Sequence, residues 1–235
     1  MPRRARQAPG GLVYHVLNRA VGRMQMFRKD ADYLAFERVL LEAHDRHPVP
    51  LLGYCVMPNH WHLVLWPKAD GDLSRFMFWM TMTHTQRWRH ARNLVGLGPL
   101  YQGRFKAFPV QDDRHLLIAL RYVERNPLRA GLVKRAEDWQ HSSLHARAQG
   151  DSEIGKRLTK WPIEMPPKYL ELVNAPQTAA EEEAIRTCVK RSRPLGTAAW
   201  RDRMVERLDL QSSMRAAHRP TASTGKARKT PDAGR

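Results

Sequence analysis

The order of predicted elements between residues 12 and 110 indicates an α+β domain. Short apolar runs rich in β-branched and aromatic residues predict strands, and longer segments with apolar residues three and four apart predict helices. They follow in the order strand, helix, strand, strand, helix, strand, which is typical of the ferredoxin-like (split βαβ) arrangement with an antiparallel sheet. Shorter amphipathic segments beyond residue 150 predict a C-terminal helical extension.

Local signals set the bounds of these six elements. Asp30 and Asp72 are suited to cap the two helices, and Pro48 ends the first helix because it excludes helical backbone from the residue before it. Pro58-Asn59 suits a tight turn between two strands. The predicted bounds are Leu12–Asn18 for the first strand, Ala31–His47 for the first helix, Leu51–Met57 and Trp61–Trp66 for the hairpin, Asp72–Arg92 for the second helix and Phe105–Val110 for the last strand.

A third helix is predicted directly after the last strand. Asp112-Asp113 is suited to its start, and Asn126-Pro127 is expected to end it. Tyr122 and Asn126 are four residues apart, so they lie nearly one above the other on the helix surface. Trp139–Ser143 is expected to form a further packing element.

Composition limits the partners of this 235-residue chain. Its 40 Lys and Arg against 23 Asp and Glu give a net charge of +17, which indicates a polyanionic partner, with nucleic acid as the first candidate. No apolar run approaches the roughly 20 residues that span a bilayer, so no membrane partner is expected. Cys55 and Cys188 form no metal-ligand or disulfide pattern, which favours a reduced, cytoplasmic protein.

The chain is predicted to have four parts. Residues 1–10 are expected to form a flexible basic arm, 11–150 the catalytic domain, 151–214 the helical extension and 215–235 a disordered basic tail, since the tail has too few apolar residues to fold alone. Short helices are expected at about Glu181–Lys190 and Ala198–Leu210. They could close over the sheet or form a second DNA-contacting module.

His60 and His62 form a candidate metal site beside the turn of the hairpin. Alternate side chains of a strand share a face, so both imidazoles are expected on one side of the sheet with Trp61 on the other. Two imidazoles at this spacing can bind one cation. The alternative is a pair of surface histidines on an edge strand, because a short motif by itself has a high rate of false positives.

Tyr122 and Asn126 could complete such a site. Two neutral imidazoles and the carboxamide oxygen of Asn126 would give three ligands and leave positions open for a phosphate oxygen. Tyr122 would then lie beside that phosphate and could attack a DNA phosphodiester. Mixed nitrogen and oxygen ligands suit Mn²⁺, and Mg²⁺ is the weaker match. The alternative makes Tyr122 an aromatic residue at the core edge and Asn126 an ordinary helix-end residue.

Five motifs in order resemble one family of transposases. NHWH, within YCVMPNHWHLVLWP, resembles the HUH motif of the single-tyrosine transposases. The run from Tyr101 to Val133 resembles the branch known as REP-associated tyrosine transposases. His15–Phe27, Trp139–Ser143 and Arg193–Thr197 resemble further motifs of that branch, and the resemblance covers residues 10–210.

The resemblance implies a fold, a reaction and a set of site residues. It implies the HUH endonuclease fold, metal ligands at His60 and His62, a nucleophile at Tyr122 and a third ligand at Asn126, where relatives in the wider group carry glutamine. It implies a divalent metal, Mg²⁺ or Mn²⁺, and a 5′-phosphotyrosine intermediate with a free 3′-OH. The implied substrate is a single-stranded hairpin of the repetitive extragenic palindrome (REP) type with an adjacent guide tetranucleotide.

Several basic and polar residues near these motifs are candidate DNA contacts. Two of them flank the nucleophile and could hold the phosphates on either side of it. The candidates are Asn18, Arg19, Arg23, Arg104, Arg121, Arg125 and Arg129. A nucleoid-associated monomer or homodimer is expected.

Other functions remain open. The main alternative is a domesticated protein that binds hairpin DNA without productive cleavage. A nuclease of the plasmid-relaxase or replication-initiator type also uses paired histidines and tyrosine, although RNPLRAGLV does not suit that type. A zinc hydrolase lacks a second acidic or cysteine cluster here.

Overall fold

Four antiparallel strands form one sheet in the order β2-β3-β1-β4. The structure, a computed structural model, describes residues 7–215. Each neighbouring pair of strands is antiparallel, and β3 lies between the strands that α1 connects. This confirms the predicted ferredoxin-like arrangement. The strands are β1 (Val13–Arg19), β2 (Leu51–Met57), β3 (His60–Leu65) and β4 (Lys106–Val110).

Helices connect the strands and continue beyond the sheet. Two helices lie within the βαβ units, and the others follow β4. The helices are α1 (Asp30–Arg46), α2 (Asp72–His90), α3 (Arg114–Glu124), α4 (Asn126–Arg129), α5 (Ser143–Gln149), α6 (Glu153–Lys156), α7 (Tyr169–Asn174), α8 (Ala179–Arg191), α9 (Ala198–Arg207) and α10 (Gln211–Met214).

The predicted helix starts are correct to within one or two residues. Asp30 and Asp72 are the first residues of their helices, and the N-cap positions belong to Lys29 and Gly71. An aspartate in the first turn interacts favourably with the helix dipole, so it marks a helix start without itself being the cap. Asp113 does cap α3, because its carboxylate accepts a backbone N–H from the first turn.

The predicted end of α3 was wrong in detail. The helix ends at Glu124, and Asn126-Pro127 begins the short helix α4 instead of ending the helical path. Arg125 keeps helical backbone angles between the two, with φ −82° and ψ −8°. Proline is tolerated in the first turn of a helix, where its missing N–H costs no hydrogen bond.

The sheet is covered on both faces. Trp61 and Tyr14 point to one face, where they pack with Phe36 of α1 and Phe76 of α2. On the other face the strands pack against α3, for example through Leu120, and against the C-terminal extension. The hairpin that carries His60 and His62 is therefore largely covered on both faces.

The segment Trp139–Ser143 pairs with the outer edge of β2, so it forms the predicted packing element. The indole N–H of Trp139 donates to the carbonyl of Val56, and the N–H of Val56 donates to the carbonyl of His141. Further along, Leu195 bridges to β4 at Val110. Leu158 also bridges to Leu51 of β2, so the C-terminal extension contacts both edge strands of the sheet, in favour of helices that close over it.

The terminal segments were predicted to be unstructured. Residues 7–10 pack against the domain, since Ala8 is buried and the N–H of Gly10 donates to Asp70, so the flexible arm is wrong for these residues. Residues 1–6 and 216–235 lie outside the described part of the chain.

Cys55 and Cys188 are both buried. Among residues 7–215, no helix has the length and apolar character to cross a membrane.

Candidate active site

His60 and His62 lie side by side on one face of the sheet. Their ring centroids are 5.0 Å apart, and Trp61 is fully buried on the opposite face, as the strand alternation predicted. β3 is an interior strand, so the alternative of two surface histidines on an edge strand is wrong. His62 is only 2% exposed, whereas His60 at the turn is partly open to solvent.

Asn59 determines which ring nitrogen of His60 carries the hydrogen and which carries the lone pair. The Asn59 amide nitrogen donates to the carbonyl of Arg23 at 3.3 Å, so its oxygen Oδ1 faces His60 Nδ1 at 2.6 Å. Because Oδ1 can only accept, Nδ1 of His60 is the donor. The neutral ring therefore carries its free lone pair on Nε2.

His62 is held by a third histidine that sequence reasoning missed. His15 Nε2 lies 2.8 Å from His62 Nδ1, and His15 is fully buried on β1. The other nitrogen of His62, Nε2, is buried and has no hydrogen-bond partner among the described residues. The available signal was a histidine in the otherwise apolar alternation of the first strand, but its partner depends on the register between β1 and β3.

Burial keeps both rings of the hairpin neutral at pH 7. Burial lowers the pKa of His60 to about 3, with the positive charges of Arg19 and Arg129 adding to the effect. Burial also lowers the pKa of His62 well below its usual value, and neighbouring histidines and arginines add to that shift. A neutral imidazole offers the lone pair that a metal requires.

Tyr122 lies against the face of the sheet that carries His60 and His62. Its ring centroid is 5.9 Å from that of His62, with the ring planes perpendicular, and the side chain is 6% exposed. Asn126 follows one turn later and is 3% exposed. Its amide nitrogen donates to the carbonyl of Tyr122 at 3.0 Å, which fixes the direction of its oxygen.

Arg129 connects Asn126 with the ring of Tyr122. Its Nη2 donates to Asn126 Oδ1 at 2.7 Å, and its guanidinium carbon lies 4.3 Å from the centroid of the Tyr122 ring. The oxygen predicted as the third metal ligand therefore already accepts one hydrogen bond. A carboxamide oxygen has a second lone pair, so it can still act as a ligand.

These groups fit a divalent metal such as the resemblance implies. The buried Nε2 of His62 has no partner in the described chain, and Nε2 of His60 carries a free lone pair on the same face. Within residues 7–215 no three His, Cys, Asp or Glu side chains converge on one point. A third ligand from these residues would thus be a neutral oxygen such as that of Asn126, a donor set that leaves open positions.

The predicted DNA contacts divide into two groups. Arg19 pairs with His60 across the strands and is partly exposed, and Arg23, Arg104 and Arg129 are exposed. These four remain candidates. Asn18 is buried, its amide nitrogen donates to the carbonyl of Gly103, and its oxygen accepts the N–H of Arg19. The Asn18 amide therefore has a role in the fold, and its contact with DNA stays a prediction for a side chain that is only 7% exposed.

Arg121 and Arg125 contact the C-terminal end of α7. Arg121 donates to the carbonyl of Leu172 at 3.1 Å, and Arg125 donates to the carbonyls of Val173 and Asn174 at 3.0 and 2.5 Å. These carbonyls lie in the last turn of α7, where a helix attracts positive charge. Both arginines therefore stabilise the contact between α7 and the end of α3. This corrects the prediction that they hold phosphates beside Tyr122.

Comparisons with known proteins identify the family of this chain. The sequence profile of the family described as "Transposase IS200 like" matches residues 10–126. A REP-associated tyrosine transposase of Escherichia coli is 24% identical over 142 residues, which cover 58% of this chain and 78% of that protein. A putative REP-associated tyrosine transposase of Haemophilus influenzae is 24% identical over 123 residues, covering 48% and 70%.

A solved structure shares the fold. The structure of a REP-associated tyrosine transposase bound to a REP hairpin superposes with a TM-score of 0.51 at 22% sequence identity, covering 70% of this chain and 94% of that one. The profile match includes both histidines, the tyrosine and Asn126. The chain therefore belongs to the IS200-like transposases, on the branch of the REP-associated tyrosine transposases.

Proposed function

We propose that this transposase cleaves and rejoins single-stranded DNA at REP-type hairpins through a tyrosine that becomes covalently linked to the 5′ phosphate. The observation that carries the proposal is the buried, unpartnered Nε2 of His62, which lies on the face that holds the ring of Tyr122. A buried nitrogen without a partner is costly unless a ligand completes it. Its position beside a phenol suits a site that binds a phosphodiester.

The reaction is a transesterification at phosphorus. The phenolic oxygen of Tyr122 attacks a backbone phosphate, forming a phenol oxygen–phosphorus bond while the bond from phosphorus to the 3′ oxygen breaks. The phenol loses its proton, and the departing 3′ oxygen gains one to become a 3′-OH. One ester replaces another, so attack by a 3′-OH reverses the step and joins strands without ATP.

The chain supplies binding and charge for this step. A phenol has a pKa of about 10 and is a weak nucleophile at pH 7, so the phosphate has to be activated. A divalent cation, Mg²⁺ or Mn²⁺, held by His60 Nε2, His62 Nε2 and Asn126 Oδ1 would polarise the phosphoryl group. Arg19 and Arg129 flank the histidines and would pair with the phosphate oxygens.

The substrate class follows from charge and from relatives. The net charge of +17 suits a long polyanion, and the similar solved structure is described as bound to a REP hairpin. Arg23 and Arg104 would add phosphate contacts at the same end of the sheet, because both flank the β3 turn and the end of β1. The proposal also includes a guide tetranucleotide beside the hairpin and a protein that acts as a monomer or homodimer.

Labelled oligonucleotides test the reaction and its polarity. The full-length protein would be incubated with Mn²⁺ and REP-type hairpins from its own genome, labelled at one end or the other. A 3′ label should move to the protein, and a 5′ label should appear on a shorter strand that a polymerase can extend. His60→Ala and His62→Ala should lose both products and keep hairpin binding, because phosphate contacts supply most of the affinity.

A second candidate is hairpin binding without cleavage. Tyr122 is only 6% exposed, and Arg129 lies over its ring, which would favour a covered and inactive phenol. Tight binding of the hairpin with no transfer of label at any Mn²⁺ or Mg²⁺ concentration would support this candidate and contradict the transposase chemistry.

A further inference from the structure

His15 and His62 share a buried contact that the proposed reaction does not use. The 2.8 Å separation of His15 Nε2 and His62 Nδ1 is a hydrogen bond between two imidazoles, so only one of the two nitrogens carries the proton. The two remaining nitrogens, His15 Nδ1 and His62 Nε2, are both buried and have no partner among the described residues.

The proton can be placed in two ways. If His15 donates, then the neutral ring of His62 carries its other hydrogen on Nε2 and cannot bind a metal. If His62 Nδ1 donates to His15, then His62 Nε2 carries a lone pair directed at the metal site. Each placement leaves one buried N–H and one buried lone pair without a partner among the described residues, so hydrogen-bond partners alone do not select between them.

We propose that His15 is a positioning residue that accepts the Nδ1 proton of His62 and so presents His62 Nε2 to the divalent metal. This inference rests on the proposed function. A metal can bind His62 Nε2 only in the second placement, where that nitrogen carries a lone pair. Metal binding therefore selects this tautomer. Ligand histidines commonly donate their other N–H to a carboxylate or carbonyl, and here a second imidazole takes that place.

Packing holds His15 in the orientation that this role requires. It lies on β1, whose register with β3 sets Leu17 opposite His62 and His15 opposite Val64. Its ring packs edge to face against Phe108 at 4.9 Å and is fully buried. The acceptor is therefore fixed by the sheet, just as Asn59 is fixed by the carbonyl of Arg23 for His60. Both proposed ligand histidines then carry their free lone pair on Nε2.

Metal affinity without DNA tests the inference. His15→Phe keeps a ring of similar size and removes the acceptor, and His15→Gln places a carboxamide oxygen near the position of Nε2. Binding of Mn²⁺ to full-length protein would be followed by the electron paramagnetic resonance signal of the free ion. His15→Phe should bind Mn²⁺ about 10- to 100-fold more weakly than wild type, and His15→Gln should recover most of the loss.

His84→Phe and His60→Ala are the controls. His84 is buried on the opposite face of the sheet, so its replacement should leave Mn²⁺ affinity unchanged. His60→Ala removes a proposed ligand. Wild-type affinity in His15→Phe, together with a large loss in His60→Ala, would overturn the role of His15 and leave the metal site intact. No difference between wild type and His60→Ala would overturn the metal site itself, and the role of His15 with it.

Nitrogen NMR keeps the test decisive where a variant fails to fold. In wild-type protein loaded with diamagnetic Mg²⁺, long-range correlation spectra report which nitrogen of His62 carries hydrogen. Hydrogen on Nδ1 would support the proposal. Hydrogen on Nε2 of His62 in the metal-loaded protein, or Mn²⁺ binding by His15→Gln as weak as that of His15→Phe, would contradict the role as acceptor.

Discussion

The guanidinium of Arg129 lies 4.3 Å from the centre of the Tyr122 ring and donates to Asn126 at 2.7 Å. One side chain thus contacts both the proposed nucleophile and the proposed third ligand. Arg129 is itself exposed, so an incoming phosphate can reach it. The arrangement places a positive charge beside the phenol before DNA arrives.

Arg129→Ala should lower the cleavage rate at saturating hairpin by about 100-fold, because a donor aimed at developing charge acts mainly in the transition state. Arg129→Lys should recover only part of the rate, since an ammonium lacks the planar fork that pairs with two phosphate oxygens. Single-turnover cleavage with excess protein measures this. Equal rates for Arg129→Ala and wild type would remove Arg129 from the site.

Arg104→Gln and Arg125→Gln form a matched pair. Arg104 is exposed and should contact phosphate, so its loss should weaken hairpin binding and lower the magnitude of the salt slope by about 1. Arg125 binds carbonyls of α7, so its loss should reduce thermal stability and leave the salt slope unchanged. Affinity titrations at several salt concentrations check both. The reverse pattern would restore Arg125 as a phosphate contact.

Glu124 should be a main determinant of stability. It is fully buried next to the end of α3, and its carboxylate accepts from Ser143 at 2.5 Å, Arg147 at 2.6 Å and Tyr169 at 2.5 Å. Glu124→Gln removes the charge that pairs with Arg147 and should lower the free energy of unfolding by about 3 kcal/mol.

Urea denaturation measures that loss, with Glu171→Gln as the control. Glu171 is exposed on α7, so its replacement should change the midpoint little. Equal midpoints for the two variants would show that the buried carboxylate does not stabilise the junction of α3, α5 and α7.

Stability should fall as the pH drops below about 6.5, and His84 should contribute to the loss. Burial lowers the pKa of His84 to about 3, while an unfolded histidine titrates near 6.5. Between these values the unfolded state binds the extra proton, so acid favours unfolding. His84→Phe should reduce the pH dependence of the unfolding free energy by about 1.4 kcal/mol per pH unit within this window.

The slope is the relevant measurement for His84→Phe. In this variant the hydroxyl of Tyr101 loses its 2.6 Å hydrogen bond with His84 Nδ1 and keeps the one from the Trp61 indole, so overall stability also falls. Denaturation between pH 4 and 7 separates the two effects. An unchanged slope would mean that His84 is not held neutral in the folded protein.

The elements of the fold could be predicted because their signals are local. Alternation placed His60 and His62 on one face, and helical spacing placed Tyr122 one turn before Asn126. The packing of α3 on the second face was not predicted, and closure of the C-terminal helices over the sheet was one of two alternatives. Periodicity identifies the apolar side of a helix but not the face of the sheet that it covers.

The site could be predicted only in part because its remaining contacts join distant segments. His15 and His62 meet through the β1–β3 register, which no short motif encodes. Arg121 and Arg125 have the spacing expected of phosphate contacts, yet they face α7, about fifty residues later in the chain. Charge and spacing alone do not distinguish a nucleic-acid contact from a helix-end contact.

The residue that carries the covalent adduct shows directly whether Tyr122 is the nucleophile. Of the six tyrosines, only Tyr122 has its ring in contact with His62 in the described chain. Wild-type protein and Tyr122→Phe would be incubated with Mn²⁺ and hairpin DNA, digested and analysed by mass spectrometry. The wild-type peptide that contains Tyr122 should carry a nucleotide, and Tyr122→Phe should bind the hairpin normally and form no adduct. An adduct on Tyr54 or Tyr101, or full cleavage by Tyr122→Phe, would contradict this role of Tyr122.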